Sequence, residues 1–178
     1  MNRLVPLLAL FAVACGGYPE VVAGEKGEVA EPVSCSLNVT LSGTLEGTIP
    51  EEASMGCAPL YSVDSGIDNV FLLANAVAQF QVVIDDVHEG ETGSGFPASI
   101  YLYDMSSRRW RTPDGACQVD IAEHTFDFTE QTDAGEARAY VVAGTGYCSG
   151  EAKPTGQGAY GLVGISEFEF RLPSAWRD

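Results

Sequence analysis

The sequence is poor in positive charge and in catalytic side chains. It contains 9 lysine and arginine residues against 25 acidic residues, which gives a formal net charge of −16. A surface of this charge repels polyanions, so we expect no nucleic-acid partner. There are two histidines, and the motifs G-x-S-x-G, H-E-x-x-H and the P-loop are absent. Carboxylates are therefore the only candidate catalysts, and we expect no cofactor.

No apolar stretch is long enough for a permanent transmembrane helix. The longest run follows Arg3 and covers the 11 residues from Leu4 to Ala14, whereas a spanning helix needs about 20. A positive charge followed by a short apolar run and small residues is typical of an export signal. We therefore interpret residues 1–14 as a signal peptide.

The end of this run resembles the lipobox of bacterial lipoproteins, in the sequence Ala12-Val13-Ala14-Cys15. The resemblance implies that the Cys15 sulfur is lipidated and that Cys15 becomes the first residue after cleavage. The usual first lipobox residue is Leu, and here it is Ala12. The alternative is an ordinary signal peptide cut near Ala14, which leaves a free thiol. Lipidation makes the membrane a partner and places the protein in the cell envelope. Gly16 in place of Asp favours the outer membrane of a Gram-negative organism.

A linker follows the cysteine. Residues 15–34 contain four glutamates against the single Lys26, with glycine and proline interruptions and no helical or strand periodicity. This composition predicts a flexible, disordered tether.

Residues 35–178 have the pattern of one β-rich domain. Leu37, Val39 and Leu41 alternate with polar residues, and Phe168, Phe170 and Leu172 do the same near the end; this period of two predicts half-buried strands. Five further strand segments, near residues 80–84, 98–104, 117–121, 126–128 and 137–148, are separated by turn residues. Residues 68–79 fit a helix or two strands, and we favour strands. The sequence predicts an antiparallel β-sandwich, or a barrel-like form.

The remaining four cysteines predict two disulfides, because an even number is typical of an exported domain. We favour Cys35–Cys57 and Cys117–Cys148, since neighbouring pairs close the shorter loops. A zinc site is the alternative, but no two cysteines are closely spaced.

An acidic segment surrounds His88 at a predicted strand end, with Asp85, Asp86, Glu89 and Glu91. Oxygen ligands in a loop suit calcium, so these four acids are candidate metal ligands. Because they match no calcium-loop spacing, a solvated loop is the favoured interpretation. The same carboxylates could perform glycoside hydrolysis, but the sequence does not give their separation.

A cluster of arginines is the second candidate site. Arginine beside aromatic rings can bind anions or stack on sugars, which predicts a contact surface at Tyr101, Tyr103, Arg108, Arg109, Trp110 and Arg111. A hairpin in which Trp110 packs in the core and the arginines pair with the surplus acids is the favoured interpretation, and the contact surface is the candidate site.

These features predict a lipid-anchored envelope protein with a non-enzymatic binding or structural role. An envelope polysaccharide or a protein is the expected partner. An exported carboxylate-dependent glycoside hydrolase is the alternative.

Overall fold

The computed structural model describes residues 35–49, 55–62, 66–73, 79–104, 106–132, 135–156 and 160–177. The predicted signal peptide, Cys15 and the linker lie outside these residues. All regular secondary structure in these residues is β-strand, which confirms the predicted all-β class. The described residues contain no helix long and apolar enough to cross a membrane.

Twelve strands make up the described regular structure. They are β1 (Ser36–Gly43), β2 (Gly47–Ile49), β3 (Met55–Ser62), β4 (Ile67–Leu73), β5 (Gln79–Ile84), β6 (Gly93–Tyr103), β7 (Arg109–Arg111), β8 (Cys117–Thr132), β9 (Gly135–Cys148), β10 (Lys153–Pro154), β11 (Val163–Ile165) and β12 (Phe168–Arg177). The strand interpretation of the ambiguous segment is confirmed for β4 and for the start of β5.

The pairing is antiparallel at every described interface except one. β12 runs parallel to β3, with Ala175 opposite Tyr61. Following hydrogen-bonded neighbours from β6 through β5, β4, β3, β12, β9 and β8 leads back to β6. β7 pairs with Tyr101–Tyr103 of β6, beyond the residues Gly93–Ala98 that pair with β8, and β10 pairs with β7. The hairpin with the arginines therefore lies beside this circuit of strands.

The alternating strands bury the residues that the pattern predicts. In β1 the side chains of Leu37, Val39 and Leu41 are buried and their polar neighbours are exposed or half-buried. In β12 the buried residues Phe168, Phe170 and Leu172 alternate with Glu169 and Arg171. Burial of these apolar faces is the main stabilising contribution to such a sheet.

The disulfide Cys117–Cys148 joins β8 and β9, where the two cysteines are directly opposite each other. This confirms one predicted pair. Cys35 is also disulfide-bonded. The side chain of its predicted partner, Cys57, lies outside the described residues, so the pair Cys35–Cys57 stays a prediction.

Candidate functional site

Tyr101 and Tyr103 of the predicted contact surface lie on β6, and Arg109 and Arg111 lie on the adjacent strand β7. β6 and β7 pair so that Tyr101 is opposite Arg111 and Tyr103 is opposite Arg109. β10 pairs with the other edge of β7 and places Lys153 opposite Arg111. Directly opposed residues of an antiparallel pair share one side of the sheet. Tyr101, Tyr103, Arg109, Arg111 and Lys153 therefore form one surface, which we call the cationic face.

Each tyrosine ring of the cationic face lies against the guanidinium group of one arginine. The guanidinium carbon of Arg109 lies 5.6 Å from the ring centroid of Tyr103, and that of Arg111 lies 5.2 Å from the centroid of Tyr101. Both distances are within the range of a cation–π interaction. The Tyr103 hydroxyl also donates a hydrogen bond to Gln81 Oε1 at 3.2 Å. The rings thus restrict both arginines; Arg109 keeps its guanidinium edge available for an anion, whereas Arg111 also donates a hydrogen bond to Asp114.

The turn between β6 and β7 is organised by Asp104. Its Oδ1 accepts hydrogen bonds from the backbone amides of Ser106 at 2.9 Å and Arg108 at 2.8 Å, and its Oδ2 accepts one from Arg108 Nε at 2.6 Å. Burial alone would raise the pKa of Asp104, but these bonds and the charge of Arg108 lower it overall. Because this turn fixes the register of the hairpin, Asp104 positions Arg109 opposite Tyr103.

Trp110 and Arg108 do not belong to the cationic face. Trp110 is fully buried and its Nε1 donates a hydrogen bond to the carbonyl of Gly161 at 2.9 Å. Arg108 is bound to Asp104 and lies over the rings of Trp110 and Tyr160, at 5.5 and 5.7 Å. Trp110 therefore cannot contribute to a contact surface: alternate residues of β7 point to opposite sides of the sheet, and it lies on the side opposite Arg109 and Arg111. Arg108 precedes β7 and keeps 40% of its side chain accessible, but its guanidinium is held by Asp104.

Ion pairing distinguishes the cationic face from other cations of the described residues. Four arginines have a carboxylate partner, in the pairs Arg108–Asp104, Arg111–Asp114, Arg138–Glu89 and Arg171–Glu123. Arg109 and Lys153, in contrast, have no carboxylate partner within the described part of the chain. Asp114 is an exposed partner, with 83% of its side chain accessible, so its bond to Arg111 contributes little stability.

The acidic segment does not assemble a ligand set. Glu89 accepts two hydrogen bonds from Arg138, at 2.6 and 2.9 Å. Glu91 accepts one from the His88 amide at 2.8 Å. Asp85 and Asp86 are exposed. Among the described residues no three acidic, histidine or cysteine side chains form a metal-binding group. The proposed metal ligands therefore serve as loop and ion-pair residues in this structure.

The loop that carries these acids is tied to β8 through His124, which the sequence analysis did not single out. His124 is buried; its Nδ1 lies 2.9 Å from the carbonyl oxygen of Glu91, and its Nε2 accepts a hydrogen bond from the Gly90 amide at 3.4 Å. A neutral imidazole protonated on Nδ1 satisfies both contacts. Burial lowers the pKa of His124, and this outweighs the opposing effects of the Glu91 carbonyl and the charges of Glu89 and Glu91.

Tyr140 lies against His124, with 5.1 Å between the ring centroids. Burial raises the pKa of Tyr140, and its hydrogen bond to Glu89 raises it further. Trp176 lies on the same histidine, at 6.0 Å between centroids. His124 is thus enclosed by aromatic rings and by the loop, which keeps it neutral.

A groove of about 370 Å³ lies among β1, β8, β9 and β12. Its charged residues are Glu123, Glu169 and Arg171, and Arg171 donates to Glu123 at 2.7 Å. No residue of the acidic segment lines it. This groove therefore does not contain the carboxylates on which the hydrolase alternative depends.

Comparison with known proteins finds no matching family model, no similar curated protein and no similar solved structure.

Proposed function

We propose that the protein is a lipid-anchored component of the bacterial cell envelope, in the outer membrane if the organism is Gram-negative. Its role is non-enzymatic: it binds an envelope polysaccharide or a partner protein. The sequence Ala12-Val13-Ala14-Cys15, which resembles a lipobox, supports the anchor. One acyl chain gives only marginal membrane binding, so stable attachment needs the multiple chains of a lipoprotein.

The cationic face is the observation on which the binding role rests. It gathers Arg109, Arg111 and Lys153 on one side of the two adjacent strands β7 and β10 in a protein whose net charge is −16. An accessible sheet surface with restrained arginines suits contact with a large partner. The hydrolase alternative gains no comparable support, because Glu89 is bound to Arg138 and Asp85 and Asp86 are exposed.

We also propose a barrel-like architecture in preference to a sandwich. Support comes from the circuit of pairings that returns from β8 to β6. A closed circuit removes free strand edges, which otherwise invite aggregation. In such a form the cationic face lies on the outside, because Trp110, which points to the opposite side of β7, is buried.

The anchor and the binding role are tested separately. The full chain expressed in a bacterial host should fractionate with membranes, and Cys15→Ala should release it. A membrane-bound Cys15→Ala variant, or a soluble wild-type protein with a free thiol, contradicts the anchor.

For the binding role, the immobilised full chain should retain a specific envelope component. Arg109→Ala should lose this component, whereas Arg171→Ala should keep it; Arg171 is a matched control because it is half-exposed and paired with Glu123. Equal retention by both variants contradicts a role of the cationic face.

A further inference from the structure

We infer that the cationic face binds an anionic polysaccharide in which carboxylates are separated by neutral sugars. This inference rests on the proposed function and specifies the ligand class of the same surface. The anion is indicated first by the unpaired cations: Arg109 and Lys153 have no carboxylate partner within the described residues, although the sequence contains 25 acidic residues.

The register of β7 and β10 gives a second indication. Lys153 lies directly opposite Arg111, and like charges in this position destabilise a sheet. Arg109 lies two residues along β7 from Arg111, on the same side. The three residues therefore occupy neighbouring positions on one side of the sheet, roughly 5–7 Å apart, and Asp114 pairs with only one of them. A bound anion would relieve the repulsion.

The polar character of the surface favours a glycan over a protein. The centre of a protein interface is usually apolar and depleted of charge. The outward positions here carry Tyr101 and Tyr103 between the arginines and the amides of Gln79 and Gln81 on β5. The tyrosine and glutamine side chains offer hydrogen-bond donors and acceptors that suit sugar hydroxyls. An apolar partner would bury Arg109 and Lys153 without a counter-charge, which is unfavourable.

The negative net charge of the protein favours a ligand whose own negative charges are widely spaced. A nucleic acid carries a charge every few ångströms, so its repulsion by a protein with a net charge of −16 grows with every phosphate. A glycan with spaced carboxylates places one or two anions on the face while the rest of the polymer stays neutral. Screening over about 8 Å at physiological ionic strength then leaves the local attraction dominant.

The test uses the full chain in mild detergent and hyaluronan oligosaccharides, which carry a carboxylate on every second sugar. The matched neutral probe is the carboxyl-reduced form of the same oligosaccharides. We expect titration calorimetry to detect binding of the first and not of the second, with an affinity that falls as salt is added. Arg109→Ala and Lys153→Ala should each weaken binding at least fivefold, and Arg171→Ala should not change it. Both substituted side chains are exposed, so neither variant should melt at a lower temperature than the wild type.

The outcomes separate this inference from the proposed function. Equal binding of the neutral oligosaccharide, or wild-type affinity in both Arg109→Ala and Lys153→Ala, overturns the inference. If no oligosaccharide binds but an envelope protein is retained in an Arg109-dependent way, the partner is an acidic protein; the inference then fails and the binding role stands. If nothing is retained by the cationic face in either assay, both fail.

Discussion

The stability of the protein should decrease as the pH falls below neutrality, because His124 is held neutral. In the folded state its Nε2 accepts a hydrogen bond from the Gly90 amide, so a proton on Nε2 would place two donors face to face. The pKa of His124 is lowered by burial, whereas in the unfolded chain it returns to about 6.5. The unfolded state therefore takes up the proton first. The contribution is fully present above pH 6.5 and is lost progressively below it.

The magnitude follows from the linkage of one proton. If His124 stays neutral in the folded state, acidification from pH 7.5 to 5.5 lowers the free energy of unfolding by at most about 1.4 kcal/mol. Urea denaturation at pH 7.5, 6.5 and 5.5 measures this loss. His124→Gln removes the titrating group and should flatten the profile, and His88→Gln, at an exposed position, should keep the wild-type profile.

Two results would refute this reasoning: a wild-type profile that rises toward pH 5.5, or identical profiles for the wild type and His124→Gln. If His124→Gln does not fold, nitrogen chemical shifts of the wild-type imidazole decide the matter. They should report a neutral ring protonated on Nδ1 at pH 7, and a protonated imidazolium at that pH contradicts the structure.

Three further predictions concern the framework around the cationic face. Replacing both Cys117 and Cys148 with Ser should lower the free energy of unfolding by about 3–4 kcal/mol, because their bridge closes a loop with a sequence separation of 31; unchanged denaturation would show that the bridge does not form. Trp110→Ala should cost about 3–5 kcal/mol, since the ring is fully buried, and a surface-like loss below about 0.5 kcal/mol would contradict its place in the core. Asp104→Ala should cost about 2 kcal/mol through the lost bonds to Ser106 and Arg108, and it should weaken anion binding although Asp104 is itself negative; tighter binding would show that Asp104 only competes with the ligand.

The sequence predicted the strands better than the faces that they present. Alternation in β1 and β12 was sufficient to predict which side chains are buried, because a period of two assigns each side chain to one side of a sheet. The same rule applied to Arg109, Trp110 and Arg111 would have separated the tryptophan from the two arginines. The hairpin interpretation with Trp110 in the core agrees with this alternation.

Other parts of the site depend on contacts between distant residues, which a single sequence does not reveal. Lys153 joins the cationic face only because the two-residue strand β10 pairs with β7. Glu89 is removed from the candidate metal ligands by Arg138, which lies 49 positions further along the chain. His124 has no signal in the sequence, since its neutrality depends on the loop and the rings that enclose it.

Ligand binding at the cationic face should stabilise the fold, and this effect tests the repulsion between Lys153 and Arg111 directly. The two side chains are opposed across β7 and β10, at a cost of about 0.2–1 kcal/mol. Lys153→Ala should therefore raise the melting temperature slightly in the absence of ligand. An oligosaccharide at a hundred times its dissociation constant should raise the free energy of unfolding of the wild type by about 2.7 kcal/mol. At the same concentration the increase should be smaller in Lys153→Ala, because binding is weaker. If Lys153→Ala instead melts at a lower temperature without ligand and gains as much stability as the wild type with it, the lysine supports the sheet, and the repulsion argument is wrong.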